Sequence, residues 1–395
     1  MDGGLEKELT RVQAAAPSGD TTSTRLVRTI GPFCPRKYRI VRTIRQIRAR
    51  RPRPKVNPVR AHTLAMPPVE ARPPVPPDKL RLGLILPTWT TTDLSWAEVL
   101  EVAQTAADVG FDALYVSDHL LIPSNNAELK RRAGVDFPDD PDVELEGYLE
   151  CFTVLAALAV AIPRLQLGSF VASAGYRNPG LLAKMAVTID DVSGGRLVLG
   201  LGAGDSEGEH VTFGFPREQR VGRFEETLQI TKSLFNEIST DFDGAHHRLR
   251  GVRLLPGVRR RGGPPILIGT LNPQTRMRRL VAQYADIWNG WLGYTDARPE
   301  SAAMQLGIID DACREYGRDP NTLVATTAVR GAMPGSGYTP RPDETPLAGP
   351  PREMAETLRG HARLGIAEVQ VALTMGGPEG VRAFAPVIEE LRSGR

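Results

Sequence analysis

Short apolar runs that alternate with amphipathic helical segments constrain this chain more than any other feature of its sequence. The first run, at residues 82–87, is apolar on both faces, as a buried parallel strand is. Seven similar runs follow, each succeeded by a segment with helical spacing of apolar residues. Because a regular strand–helix alternation demands a parallel sheet, eight such units predict a (β/α)8 TIM barrel. A doubly wound sheet shows the same local pattern and is the alternative fold.

Local signals set the bounds of the predicted elements. Ser95 and Glu98 form a capping-box pattern that opens the first helix, and Gly110 is placed to end it. Asp243-Gly244 marks a turn in a hairpin-like insertion at 241–256, after the fourth strand–helix unit. The predicted strands are 82–87, 112–117, 165–171, 196–201, 265–269, 285–290, 323–330 and 368–373, and the predicted helices are 95–109, 147–162, 179–192, 217–237, 273–284, 298–316, 351–364 and 379–392.

The first 77 residues differ from the rest in charge and in proline content. They hold 16 Lys and Arg against 5 Asp and Glu, together with 12 of the 33 prolines. Without long apolar periodicity, this stretch is predicted to be a disordered basic, Pro-rich extension that precedes a barrel domain at 78–395. Two interpretations stay open: an arm that binds nucleic acid or a membrane surface, and a mis-assigned start with translation from Met66. The second is favoured, so nucleic acid is not an expected partner.

Cysteine usage and hydropathy restrict the class of protein further. Cys34, Cys151 and Cys313 lie far apart and lack metal-ligand spacing, which argues against a disulfide scaffold or a zinc site and fits a reducing cytoplasm. No apolar run approaches the ~18–20 residues that a bilayer span requires. We therefore expect a cytoplasmic protein with no metal site and no membrane partner.

Residues at the carboxyl ends of the strands are the candidate site, since barrel active sites lie on that face. The second strand ends in Asp118-His119, a carboxylate beside an imidazole. A neutral imidazole with a pKa near ~6.5 could exchange a proton with a substrate oxygen, and Asp118 could hold a cofactor or tune that imidazole. His246-His247, in the insertion, is the weaker candidate and is interpreted as a surface or hairpin pair.

Glycines and arginines near the same strand ends suggest how a cofactor could bind. Gly202 and Gly204 either relieve crowding at the barrel rim or leave room for a flat ring system; their Gly-x-Gly-x-Gly spacing is a poor dinucleotide motif. Gly269-Thr270-Leu271, before a helix start, is a candidate phosphate cradle. Arginines that could receive an anionic tail, or could be ordinary surface charge, are Arg217, Arg220 and Arg223 after the fourth strand and Arg276, Arg278 and Arg279 after the fifth.

Several motifs together resemble the luciferase-like monooxygenase superfamily over about 80–392. They include Arg177-Asn178-Pro179, the run 193–204 (SGGRLVLGLGAG) and the run 220–226 (RVGRFEE). The resemblance implies a (β/α)8 barrel that binds either FMN or the deazaflavin coenzyme F420. It also implies an insertion after the fourth unit and a homodimer.

Within that family the chain is most similar to the F420-dependent branch. In that branch the residue at Asp118 touches the deazaflavin and the histidine at His119 acts in proton transfer. The resemblance further implies an acidic residue facing the substrate at Asp205 and a ring-contacting hydroxyl at Ser173. It also implies a non-proline cis peptide between Phe170 and Val171, although a serine or threonine is more usual at position 170.

The resemblance implies an oxidoreductase that transfers a hydride between F420 and a small organic substrate. The alternative is an FMN-dependent monooxygenase that uses O2 and a partner flavin reductase, and an alternative of another class is a catalytically silent flavin-binding protein. We expect the loops at 120–146, 205–218 and 332–350 to determine the substrate.

Overall fold

Eight parallel strands close into a barrel in the computed structural model, which describes residues 72–90, 94–123, 145–270, 274–292 and 296–393. Each strand pairs in parallel with the next, and the eighth pairs with the first. The predicted TIM barrel is therefore confirmed, and the doubly wound sheet is excluded. The strands are β1 (Arg81–Ile85), β2 (Ala113–Val116), β3 (Gln166–Ser169), β4 (Leu197–Gly202), β5 (Ile266–Thr270), β6 (Ile287–Trp291), β7 (Val324–Gly331) and β8 (Ile366–Leu373).

Helices follow the strands as predicted, and their ends are set by local signals. Ser95 and Glu98 form the capping box, and Gly110 takes the left-handed conformation that ends the first helix. Asn178 caps the helix that starts at Pro179. The described α-helices are α1 (Trp96–Val109), α2 (Cys151–Ala161), α3 (Pro179–Val192), α4 (Glu207–Thr212), α5 (Arg220–Asn236), α6 (Thr275–Tyr284), α7 (Pro299–Glu315), α8 (Pro351–Arg363) and α9 (Gly377–Arg392), and two 3-10 turns occupy Pro77–Lys79 and Pro320–Thr322.

In the described part of the chain, two small antiparallel sheets accompany the barrel. The predicted insertion is a hairpin in which Thr240–Asp243 pairs with Arg248–Val252, directly after α5. A second sheet joins Trp89–Thr90, Leu121–Pro123 and Leu145–Tyr148, from the loops that follow β1 and β2. Both sheets lie outside the regular strand–helix alternation.

The barrel interior contains a row of hydrogen-bonded polar side chains. The Tyr115 hydroxyl donates to Glu368 Oε1 at 2.5 Å, and Gln370 donates to the same oxygen at 2.8 Å. The Tyr115 ring lies between Gly83 and Gly168, where an added Cβ would come within 2.7 and 2.5 Å of ring carbons. Only glycine at those two strand positions leaves room for the ring.

The packed body begins earlier than the predicted boundary between 77 and 78. Arg72 donates to the Asp310 carboxylate at 2.7 Å, and the Val75 amide donates to the Ala362 carbonyl at 2.9 Å. These bonds hold residues 72–77 against α7 and α8, so this part of the predicted extension is ordered. Residues 1–71, with Met66, lie outside the described part of the chain. Among the described helices, none combines the length and the apolar character needed to cross a bilayer.

Candidate active site

His119 and Glu209 form a hydrogen-bonded pair at the carboxyl end of the barrel. Nδ1 of His119 lies 2.9 Å from Oε2 of Glu209, whose side chain is fully buried, whereas the imidazole is 31% exposed. Glu209 also accepts from the Tyr176 hydroxyl at 2.9 Å and from the backbone amides of Leu120 and Leu121. Four donors therefore fix one carboxylate, and that carboxylate orients the imidazole.

The electrostatics of this pair support an ionised Glu209. Burial would raise the pKa of Glu209, but the hydrogen bonds from His119, Leu120 and Tyr176 outweigh it and lower the pKa. Burial would lower the pKa of His119, but the hydrogen bond and negative charge of Glu209, together with Asp205, raise it. Because an ionised carboxylate only accepts hydrogen bonds, Nδ1 carries a proton and Nε2 is the atom that can gain or lose one.

We expect Glu209→Gln to lower the pKa of His119. The substitution keeps the side-chain shape but removes the negative charge that opposes the effect of burial. NMR titration of the His119 imidazole measures the shift directly. Glu226→Gln is the matched control, because Glu226 also accepts from three backbone amides, of Ala245, His246 and His247, in the hairpin insertion.

Stability provides a second readout of the same substitution. A histidine whose pKa is raised on folding stabilises the folded state below about pH 6.5. This stabilisation is lost as the pH rises through the raised pKa. A glutamate whose pKa is lowered on folding stabilises the folded state above about pH 4.3. This stabilisation is lost as the pH falls through the lowered pKa. The difference in unfolding free energy between the wild type and Glu209→Gln should therefore be largest at about pH 5–6. An unchanged pKa of His119 would contradict the pairing.

Asp118 lies beside His119 but is engaged by an arginine. Its fully buried carboxylate accepts two hydrogen bonds from Arg177, at 2.7 and 2.8 Å, and one from the Ser173 amide at 2.9 Å. Burial raises the pKa of Asp118 even though these bonds oppose the shift. Arg177 also donates to Glu150 and lies 4.5 Å from the centre of the Phe152 ring. Asp118 thus holds the loop after β3 in place.

The cis peptide implied between Phe170 and Val171 is present, directly after β3. The Phe170 ring packs against Tyr115 and Trp291, with centroids 5.5 and 5.7 Å apart. The Val171 side chain lies over Gly202, where an added Cβ would come within 2.9 Å of Cγ2, and near Gly269, at 3.2 Å from Cγ1. These contacts bring the predicted residues of β3, β4 and β5 together at one place.

Ser173 and His210 present polar atoms that lack partners at the same rim. Both are buried, and neither Ser173 Oγ nor His210 Nε2 has a hydrogen-bond partner among the described residues. Both atoms border Gly204, at 2.6 and 2.9 Å from the position that its Cβ would take. His210 Nδ1 lies 3.0 Å from the Pro216 carbonyl, which can only accept. Nδ1 is therefore the protonated nitrogen of the neutral imidazole. The unpartnered Nε2 is then an acceptor, and it lies beside a serine hydroxyl that can donate.

The candidate phosphate cradle is described only in part. Thr270 is buried and accepts from the Trp288 indole at 2.9 Å, whereas Leu271 lies outside the described residues. Arg276 and Arg279 both pair with Glu225 at 2.8 Å. Arg217 pairs with Glu207, Arg220 donates to the Gly204 carbonyl and Arg223 donates to the Glu218 carbonyl. Of these six arginines, Arg278 alone shows no such partner in the described part of the chain.

Asp205 is exposed at this rim, and its charge contributes to the raised pKa of His119. Sequence reasoning missed four residues that organise the site: Tyr176, Arg177 as a side-chain partner, Glu209 and His210. Glu209 lies two residues beyond the start of α4, and no local motif pairs it with His119, 90 positions away. The one available signal was that all four lie in segments that follow the carboxyl ends of strands.

Comparison with known proteins agrees with this architecture. A family model described as luciferase-like monooxygenase matches residues 83–334, which is more than half of the chain. The match runs from within β1 through β7 and contains all of the rim residues discussed above.

Relatives and solved structures extend the comparison. The chain is 33% identical over 239 residues to a phthiodiolone/phenolphthiodiolone dimycocerosates ketoreductase of Mycobacterium tuberculosis, covering 58% of this chain and 59% of that protein's length. An F420-dependent secondary alcohol dehydrogenase in complex with an F420-acetone adduct superposes with a TM-score of 0.63 at 16% identity, over 80% of this chain and 99% of the other. A riboflavin lyase with modified FMN superposes with a TM-score of 0.62 at 15% identity, over 80% and 92%. The two structures show a shared fold.

Proposed function

The chain belongs to the luciferase-like monooxygenase family, and from that premise we propose that it is an F420-dependent oxidoreductase acting on a carbonyl or secondary alcohol group of a small organic substrate. The observation that carries the proposal is the His119–Glu209 pair, with Nδ1 and Oε2 2.9 Å apart. Oxidation of an alcohol releases a proton from its hydroxyl, and reduction of a ketone requires one at its oxygen. An oriented imidazole at the mouth of the barrel can serve both needs.

The residues at the rim fit the edge of a planar heterocycle. Ser173 Oγ can donate and His210 Nε2 can accept, and both atoms lack partners among the described residues beside Gly204. F420 and FMN each present an N–H flanked by carbonyl oxygens along one edge, which complements such a pair. An unsatisfied buried polar atom costs about 1–3 kcal/mol, so a ligand that pairs with both is favoured.

Each residue of the site has a defined task in this proposal. When bound, F420 would supply the hydride chemistry at its carbon 5. His119 exchanges a proton through Nε2 with the substrate oxygen, and Glu209 holds the imidazole in the tautomer that this exchange needs. Asp118 and Arg177 hold the loop that carries Ser173, through bonds of 2.7–2.9 Å. Asp205, exposed at the rim, faces the substrate.

The surroundings of Glu209 favour an organic substrate with apolar parts. The Tyr176 and Phe215 rings stack with centroids 4.7 Å apart, and Phe213 continues the row at 6.2 Å from Phe215. Phe213 is 46% exposed and Val211, on α4, is 62% exposed. This apolar wall adjoins the proton-transfer pair. Apart from Tyr176, it comes from the 205–218 segment that we expect to determine the substrate.

Two observations favour F420 over FMN. The first is the sequence resemblance, in which the F420-dependent branch carries an acidic residue facing the substrate at the position of Asp205. The ketoreductase relative and the F420-dependent alcohol dehydrogenase structure are both named for the interconversion of a carbonyl group and an alcohol. FMN remains the alternative cofactor, since a riboflavin lyase with modified FMN shares the fold.

Cofactor titration and turnover test the proposal together. We expect the purified full chain to bind F420 with a micromolar or lower Kd by fluorescence quenching, and to bleach its absorbance near 420 nm when a secondary alcohol such as 2-propanol or cyclohexanol is added. Binding of FMN alone, with O2-dependent turnover once a reductase supplies reduced flavin, would overturn it in favour of a monooxygenase. Tight F420 binding without turnover of any alcohol or ketone in a broad panel would favour a flavin-binding protein.

A further inference from the structure

A cavity of about 280 Å³ opens at the amino-terminal end of the barrel, on the face opposite His119. Its walls come from residues at or just before the starts of β1 to β5. This face of a TIM barrel does not carry the active site, so the proposed oxidoreductase chemistry leaves the cavity without a role. The charged and amide side chains that line it are Arg81, Asp112, Arg164, Gln166, Arg196 and Arg260.

Two of the four arginines in the lining have carboxylate partners. Arg260 pairs with Asp190 at 2.7 Å, and Arg81 lies 3.3 Å from the buried Glu368. The single acidic side chain of the lining, Asp112, is paired with another arginine outside the lining, at 2.6 Å. The carboxylates near the cavity are therefore already matched by other positive charges.

The other two arginines, Arg164 and Arg196, leave positive charge uncompensated. Arg164 is exposed, and its guanidinium has no hydrogen-bond or ion-pair partner in the described part of the chain. Among the described residues, Arg196 donates to backbone carbonyl oxygens and forms no ion pair with a carboxylate. The acceptors of Arg196 are Ala159, Ile162, Leu165 and Ser193, at 2.6–2.8 Å.

We propose that this cavity binds a small, multiply charged oxyanion, a phosphate compound or a polycarboxylate. The guanidinium of Arg164 can match the oxygen geometry of both classes through paired hydrogen bonds. Arg196, which already donates four of its five N–H groups to carbonyls, contributes positive charge. A cleft whose lining carries an excess of one sign of charge also concentrates the field on its occupant. The volume lies just below the roughly 300–1,000 Å³ of pockets for drug-sized ligands, which limits the occupant to small anions. A bound anion would contact residues at the starts of five neighbouring strands. Because it binds only the folded chain, it would stabilise the barrel against unfolding.

Calorimetric titration of the full chain tests this site, with inorganic phosphate, pyrophosphate and citrate as separate probes and chloride holding the ionic strength constant. We expect saturable one-to-one binding of at least one probe. Arg164→Gln should weaken it at least tenfold. Gln166→Glu keeps the acceptor that Arg81 uses at 2.5 Å but adds a negative charge to the wall, and should abolish binding. Arg253→Gln, at an exposed arginine of the segment that follows the hairpin, is the control and should change nothing.

The outcomes separate the anion classes and the alternatives. Tighter binding of pyrophosphate than of citrate assigns a phosphate compound, and the reverse assigns a polycarboxylate. The absence of saturable binding in the wild type, or equal effects of Arg164→Gln and Arg253→Gln, overturns the site. The basic residues 1–71 are present in every variant and cannot produce a difference between them. Because His119 takes no part, a negative result leaves the oxidoreductase proposal standing.

Discussion

His119→Ala should reduce kcat by about 100- to 10,000-fold, the usual contribution of a positioned general acid or base. In the proposed reaction Nε2 of this imidazole carries the proton that the substrate oxygen gains or loses, and Glu209 cannot replace it. Glu209 is adjacent but fully buried, and its carboxylate accepts four hydrogen bonds. The kcat loss should come without weaker F420 binding, which a fluorescence titration measures separately. The limb of the pH–rate profile that reports the imidazole should also disappear.

His246→Ala is the matched control for this experiment. His246 belongs to the turn of the hairpin insertion, next to Gly222 rather than to the rim residues. The control should keep wild-type kcat and cofactor affinity. Turnover that survives His119→Ala unchanged would remove this histidine from the mechanism, while the family assignment and the fold would stand.

Arg177→Met should lower the free energy of unfolding by about 3–5 kcal/mol, because it strands the buried carboxylate of Asp118 without its partner. The Asp118 side chain is fully buried and Arg177 is 10% exposed, so water cannot replace the two lost hydrogen bonds. Methionine keeps most of the length of the side chain while removing the guanidinium group, which lies 4.5 Å from the centre of the Phe152 ring. Urea denaturation followed by circular dichroism measures the loss.

The comparison variant is Arg217→Met, which removes an ion pair of similar length at the surface. Arg217 and Glu207 are both about half exposed, so that pair contributes at most about 1 kcal/mol. The loss in Arg177→Met should also shrink from about pH 8 to about pH 5, because the unpaired Asp118 has a raised pKa and is neutralised by protonation as the pH falls. Equal losses in the two variants would show that the Arg177–Asp118 pair is no stronger than a surface pair.

The order of strands and helices was predictable because local rules specify it. The capping box of Ser95 and Glu98, the Asn178-Pro179 helix start and the left-handed Gly110 each need only neighbouring residues. Eight apolar runs then leave few ways to bury both faces of every strand. The place of the site followed from the same pattern, since strand ends of a parallel barrel share one rim.

The pairing within the site was not predictable, because it depends on contacts between distant parts of the chain. Asp118 meets Arg177 across 59 positions, and His119 meets Glu209 across 90. Asp118 was expected at the cofactor, yet its hydrogen bonds go to Arg177 and the Ser173 amide. The ordering of the chain from Arg72 onward was not predictable for the same reason. Arg72 is held by Asp310 on α7, which is distant in the sequence.

Arg196 links the carboxyl ends of two helices through one guanidinium group. Its nitrogens reach the Ala159 and Ile162 carbonyls at the end of α2 and the Ser193 carbonyl at the end of α3. Carbonyl groups at helix ends otherwise need separate caps or water. Neither helix can fray at that end without releasing the arginine that caps the other. The second and third strand–helix units are thus coupled at their bases into one cooperative unit of local unfolding.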